Sequence, residues 1–144
     1  MHARVERWLD QGLGSCVLKD AHLASLVTGP MHHFDGVRYQ LGCYVVMPNH
    51  VHAVVRPLQP EAHDAEDILG SWKKHSSRRI NSVLGQTREL WQEETFDRII
   101  RNEEHLWRTI QYIGRNPRAA GLSRDLCPLW IRPEWVALGW RFDA

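Results

Sequence analysis

No run of about 18 or more apolar residues, the length a bilayer-spanning helix requires, occurs in this 144-residue chain, and the opening MHARVERWLDQ lacks the apolar centre of a signal peptide. A cytoplasmic protein without membrane contact is therefore expected. Cysteine is scarce: Cys16, Cys43 and Cys127 are odd in number, far apart and outside any Cys-x-x-Cys spacing, which argues against a disulfide framework and a thiolate zinc site. Charge of one sign is missing too. Eighteen Lys and Arg face 17 Asp and Glu, a formal net charge of +1, whereas a dedicated duplex-binding protein carries a stronger basic excess. Internal repeats, low-complexity tracts and long linkers are absent, so residues 1–144 read as one domain, with 123–144 a Trp-rich tail.

What is present is an ordinary globular composition, 43% hydrophobic and 24% charged. The basic residues are unevenly spread: Ser71 to Arg124 holds eleven Lys or Arg against six Asp or Glu, whereas residues 1–70 hold five against eight. Leu23, Leu26 and Val27 recur at helical spacing in DAHLASLVTGPMHHF, with Asp20 as N-cap and Gly29-Pro30 obscuring the end. Tyr39 to Met47, YQLGCYVVM, is rich in β-branched and aromatic residues and predicts a strand that turns at Pro48-Asn49 into a second strand from His50 to Arg56. Between Asp64 and Leu84, Ile68, Leu69, Trp72, Ile80 and Val83 fall at steps of three and four residues, the signature of an amphipathic helix. Leu90 to Ile100 fits an edge strand with its approach loop. Glu103 to Arg115 predicts a helix with Leu106, Trp107, Ile110 and Ile113 on one face, stopping at Asn116-Pro117 because a residue before proline disfavours the α region. The tail PLWIRPEWVALGW, with three of the seven tryptophans, is expected to fold back on the core.

The stretch MPNHVHAVV carries the chemistry. Side chains two apart on a strand share a face, so His50 and His52 project side by side while Val51, Ala53 and Val55 take the opposite, core side. Two imidazoles on one face suit a metal ion that draws a third ligand from elsewhere, although a bare His-x-His spacing is short and common and is more often incidental. Of three tyrosines, Tyr39 and Tyr44 lie in the strand before the turn and read as core or sheet-face aromatics, whereas Tyr112 lies on the last helix. Asn116 follows Tyr112 by four residues, which places both on one helix face. By residue pattern alone, Tyr112 reads as a packing residue and Asn116 as a helix-end cap. Lys73, Lys74, Arg78 and Arg79 form the exposed flank of the Asp64–Leu84 helix, a solvated face or a phosphate-binding one; Trp72 and Trp91 read as core residues before they read as base-stacking ones.

The ordered run Tyr44-Val45-Val46-Met47-Pro48-Asn49-His50-Val51-His52, Trp72-Lys73, Arg79-Ile80-Asn81, Trp91-Gln92-Glu93, Phe96-Asp97-Arg98, Tyr112-Ile113 with Asn116-Pro117, and Ala120-Gly121-Leu122 resembles the REP-associated tyrosine transposases. These are HUH single-strand DNA transposases, named for their His-hydrophobe-His motif. The resemblance runs from about Gly14 to Leu122 and implies an α+β, ferredoxin-like (RRM-like) sandwich: an antiparallel sheet with helices on one face. It further implies a Tyr112 nucleophile that forms a 5′-phosphotyrosine with hairpin-bearing single-stranded DNA. Mg²⁺ or Mn²⁺ is implied at His50 and His52, with Asn116 as third-ligand candidate, and DNA-backbone contacts at Lys73, Lys74, Arg78 and Arg79.

One departure counts against a complete fold. Relatives have an additional N-terminal segment with a first strand, and MHARVERWLDQGLGSC matches only its end, so the first strand is expected to be missing or shortened. That leaves two further readings open: a non-catalytic, domesticated or truncated DNA-binding descendant, and an unrelated metal-dependent hydrolase that uses water in place of Tyr112. A monomer is the expectation by resemblance, with a homodimer as the alternative.

Overall fold

The computed structural model describes residues 5–143. A first strand, β1 (Arg7–Leu13), precedes helix α1 (Ala21–His33), the hairpin β2 (Tyr39–Met47) and β3 (His50–Pro57), helix α2 (Ala65–Leu84) and strand β4 (Trp91–Ile99). Helix α3 (Glu103–Ala119), a short β5 (Leu129–Ile131) and a short α4 (Pro133–Ala137) follow. The strands form one antiparallel sheet in the order β4-β1-β3-β2-β5. The βαββαβ order with strands arranged 4-1-3-2 is the expected ferredoxin-like topology, and β5 extends the β2 edge. Among the described residues, no helix is long and apolar enough to cross a membrane.

The first strand is neither missing nor at the margin. β1 lies inside the sheet, between β3 and β4, and its alternation is plain once paired: Leu9, Gln11 and Leu13 are buried while Trp8 and Asp10 point the other way. Asp10, Gln11 and Gly12 are poor strand formers in isolation, so pairing on both sides decides the conformation.

The expectation of helices on one face holds for α1 and α2 and fails for α3. Val51, Ala53 and Val55 of β3 join Leu9, Leu13, Tyr39 and Leu41 in a core beneath α1 and α2, through Leu23, Val27, Ile68, Leu69, Trp72 and Ile80. The other face of β2 and β3 is apolar as well: Cys43, Val45, Met47 and Val54 pack under Leu106, Ile110 and Ile113 of α3. A strand pair apolar on both faces needs cover on both. A register shift between Leu41 and Cys43 lets β2 serve the two cores, since the extra residue, Gly42, moves Cys43 to the face opposite Leu41. A Cβ at Gly42 would stand 2.2 Å from the Trp135 ring, which packs against the bulge.

Two prolines sit inside helices. α1 runs through Pro30 to His33, and the Tyr39 hydroxyl donates to the Met31 carbonyl of its last turn. α3 does not stop at Asn116-Pro117 but continues to Ala119. Pro117 forfeits one donor close to the helix end, its ring is buried, and Gly121 at φ +74° closes the turn as Leu122 N–H donates to the Pro117 carbonyl. Asn116 therefore lies within the helix and is not its cap.

Candidate active site

On the sheet face under α3, β1, β3 and β4 carry polar and aromatic side chains in register. His52 lies opposite Asp10, His50 opposite Gly12, Asp10 opposite Phe96, and Trp8 opposite Arg98. α3 crosses nearby and presents Tyr112 and Asn116 one turn apart. The His50 and His52 rings stand edge to face, with centroids 4.9 Å apart. The Tyr112 ring lies 5.5 Å from His52 and 5.3 Å from Trp8. It is 48% exposed, and its hydroxyl has no hydrogen bond among the described residues, so the oxygen is open to an incoming group.

His50 is held by its neighbours. Its Nδ1 is 2.8 Å from the Asn49 side-chain oxygen in the β2–β3 turn, and its Nε2 is 3.3 Å from Asn116 Oδ1. In the tautomer whose Nδ1–H donates to Asn49, Nε2 carries a lone pair and faces a second lone pair on Asn116. Two acceptors converging in this way fit a cation between them. His52 is buried, and burial, seconded by the nearby His50 ring, pushes its pKa down to about 3. It is therefore a neutral imidazole, the form that binds metals. Its Nδ1 has two candidate partners, the Trp8 indole N–H at 3.4 Å and Asp10 Oδ1 at 3.7 Å. Donation to Asp10 frees Nε2 to ligate, as in the carboxylate–histidine pairs that orient metal ligands; acceptance from Trp8 places the proton on Nε2. Burial raises the Asp10 carboxyl pKa, against the pull of His50 and Arg98. Among the described residues, no group of three His, Cys, Asp or Glu side chains is arranged to hold a metal; the donor set here is two imidazoles and an amide oxygen.

The structure thus brings Tyr112, His50, His52 and Asn116 together and leaves the basic flank elsewhere. Lys73, Lys74, Arg78 and Arg79 belong to α2, on the opposite side of the sheet. Lys73 Nζ donates to the Gln92 carbonyl at the start of β4 (3.2 Å), where with Lys74 it lines a groove, while Arg79 lines a separate hollow with His33 and His75. Tyr39, Tyr44, Trp72 and Trp91 are buried, the two indoles bonded to the Tyr39 and Ser76 hydroxyls. Sequence reasoning did not find Trp8 and Asp10, whose signal is the period-two alternation of Trp8-Leu9-Asp10. It noted Phe96 and Arg98 only as part of a motif. All four, with His52 and Tyr112, line a cavity of about 100 Å³.

No family model and no curated protein matches the sequence. Solved structures do. A REP-associated tyrosine transposase bound to a REP hairpin superposes with a TM-score of 0.64 over 86% of this chain and 73% of its own, at 19% identity. The fold is that of a REP-associated tyrosine transposase. A proposed transposase from Deinococcus radiodurans R1 superposes with a TM-score of 0.51 over 81% of this chain and 92% of its own, at 20% identity. In this transposase fold, the histidine pair lies on a central strand, and Tyr112 and Asn116 lie on the helix that covers it.

Proposed function

We propose that the protein is a metal-dependent single-stranded DNA transesterase, a transposase that cuts and rejoins hairpin-bearing DNA through a 5′-phosphotyrosine. The observation that carries this reading is the meeting of an open tyrosine hydroxyl with two imidazoles and an amide oxygen on one sheet face. Tyr112 Oη attacks the scissile phosphorus, a bond forms between them, and the bond from phosphorus to the 3′-oxygen breaks. The phenol gives up its proton and the departing 3′-oxygen gains one, leaving a phosphotyrosine and a free 3′-hydroxyl. One ester replaces another, so the step reverses without an energy source.

His50, His52 and Asn116 would hold a divalent cation, Mg²⁺ or Mn²⁺, which when bound polarises the scissile phosphate as a Lewis acid. Asn49 orients the His50 ring and burial keeps His52 neutral; with its proton on Nδ1, facing Asp10 at 3.7 Å, His52 would have Nε2 free to ligate. All of these groups, and Tyr112, come from one chain, which supports a monomer as the acting unit. Lys73, Lys74, Arg78 and Arg79 serve the DNA backbone away from the cut, Lys73 and Lys74 where α2 meets the β4 edge, so a hairpin reaching them passes around that edge. A hairpin partner is supported by the neighbour bound to one. The presence of β1 inside the sheet removes the ground for reading the chain as a fold short of a strand.

The test is covalent capture. Incubated with a labelled single-stranded hairpin and Mn²⁺ and then denatured, the protein is expected to retain label, and Tyr112→Phe to retain none. A wild-type protein that binds the hairpin but never joins it is a DNA-binding protein and not a transesterase. Label retained by Tyr112→Phe removes the nucleophile from α3.

A further inference from the structure

The cavity beside Tyr112 has three lining residues, Trp8, Phe96 and Arg98, that the cutting reaction does not use. Phe96 is 49% exposed on edge strand β4, so its ring face is available to an occupant of the cavity it lines. Across the sheet stands the half-buried Trp8 indole, with the Arg98 guanidinium 5.4 Å over its ring. Arg98 is exposed and has no carboxylate within 4 Å among the described residues. Asp10 closes the floor, within reach of the charges of His50 and Arg98; its nearest polar neighbour is the neutral His52 ring, Nδ1 at 3.7 Å, and it has no hydrogen bond among the described residues. Apolar ring faces, an unpaired cation at the rim and a carboxylate with acceptor capacity on the floor are therefore gathered in about 100 Å³, with the Tyr112 ring as one wall.

We propose that this cavity receives one unpaired nucleobase of the DNA strand, that of a nucleotide next to the scissile phosphate. The inference rests on the transesterase reading above and names a subsite of it. A phosphate placed for attack by Tyr112 carries its flanking bases within reach of the neighbouring wall. A base has two apolar faces to stack on Phe96 and Trp8, and such stacking accepts any base. Arg98 meets the adjoining phosphate at the rim. Asp10 offers an acceptor, which a ring N–H or an exocyclic amino group of a base can meet. Charge complementarity thus selects a nucleotide over a purely apolar occupant, since the rim calls for an anion and the floor for a hydrogen-bond donor.

The test is an abasic scan along the single strand flanking a hairpin, read as binding affinity with the Tyr112→Phe protein so that the DNA stays intact. One position is expected to lose about 5- to 100-fold in affinity when its base is removed, the range that stacking one base supplies. In Phe96→Ala, on the same Tyr112→Phe background, that loss should shrink to near unity while affinity for the abasic strand is unchanged; Phe96→Trp should restore it. A flat scan, or a loss that Phe96→Ala leaves intact, overturns the subsite. If the wild-type protein still captures DNA covalently, the transesterase reading survives that result; if it captures none, both fail.

Discussion

Acidification should destabilise this protein through His52, and the size of the effect follows from its burial. A histidine in an unfolded chain titrates near 6.5, whereas His52 in the folded chain titrates near 3 because its ring is desolvated and stands next to His50. Asp10, at 3.7 Å, does not rescue the charged form, because desolvation of the ring and the charge of His50 outweigh it. The unfolded chain therefore binds a proton at this site that the folded chain refuses, so stability falls as pH drops below about 6.5. Linkage between those two values gives a loss of about 2 kcal/mol at pH 5 relative to neutral pH. Urea unfolding followed by tryptophan fluorescence, in EDTA at steps from pH 7.5 to 5, should show this loss in the wild type and not in His52→Gln. Subtracting the two curves removes His32, whose pKa burial also lowers, and Asp10, whose raised pKa acts with the opposite sign. Curves that stay parallel to within roughly 0.5 kcal/mol would refute a buried, neutral His52.

Removing one imidazole, in His50→Ala or His52→Ala, should abolish covalent capture and weaken Mn²⁺ binding measured by calorimetry, with His50→Ala leaving the circular dichroism spectrum unchanged because His50 is not in the core; capture at the wild-type rate would dismiss the metal site. Tyr112→Phe should unfold within about 0.5 kcal/mol of the wild type, since a half-exposed hydroxyl without a partner is lost; a larger fall would make that oxygen structural. Gly42→Ala forces a methyl into the Trp135 ring and should cost about 1–3 kcal/mol, and Trp135→Leu in the same chain should relieve part of it. Arg132 donates to both Asp35 oxygens and to the Leu41 carbonyl, so Arg132→Ala strands a largely buried carboxylate and should cost roughly 3 kcal/mol in the same urea assay.

Local pattern alone was enough for the hairpin, α1, α2 and the paired histidines. Period-two alternation around Pro48-Asn49 places His50 and His52 on one face whatever the rest of the chain does, and Asp20 and Asp64 mark helix starts because their side chains bond the first free N–H groups. The four-residue step from Tyr112 to Asn116 likewise sets both on one side of α3. Three things were decided only by tertiary contact. β1 became a strand because β3 and β4 flank it, overriding the weak propensities of Asp10, Gln11 and Gly12. α3 ran past Pro117 because burial of its ring and closure at Gly121 outweighed one missing hydrogen bond. The site itself is the third: Asp10, His52, Phe96 and Tyr112 lie far apart in sequence, and only the strand order 4-1-3-2, with α3 laid over its second face, brings them within one cavity. Sequence periodicity specifies which face of an element a side chain occupies; which two faces meet depends on apolar surface that each element cannot bury alone.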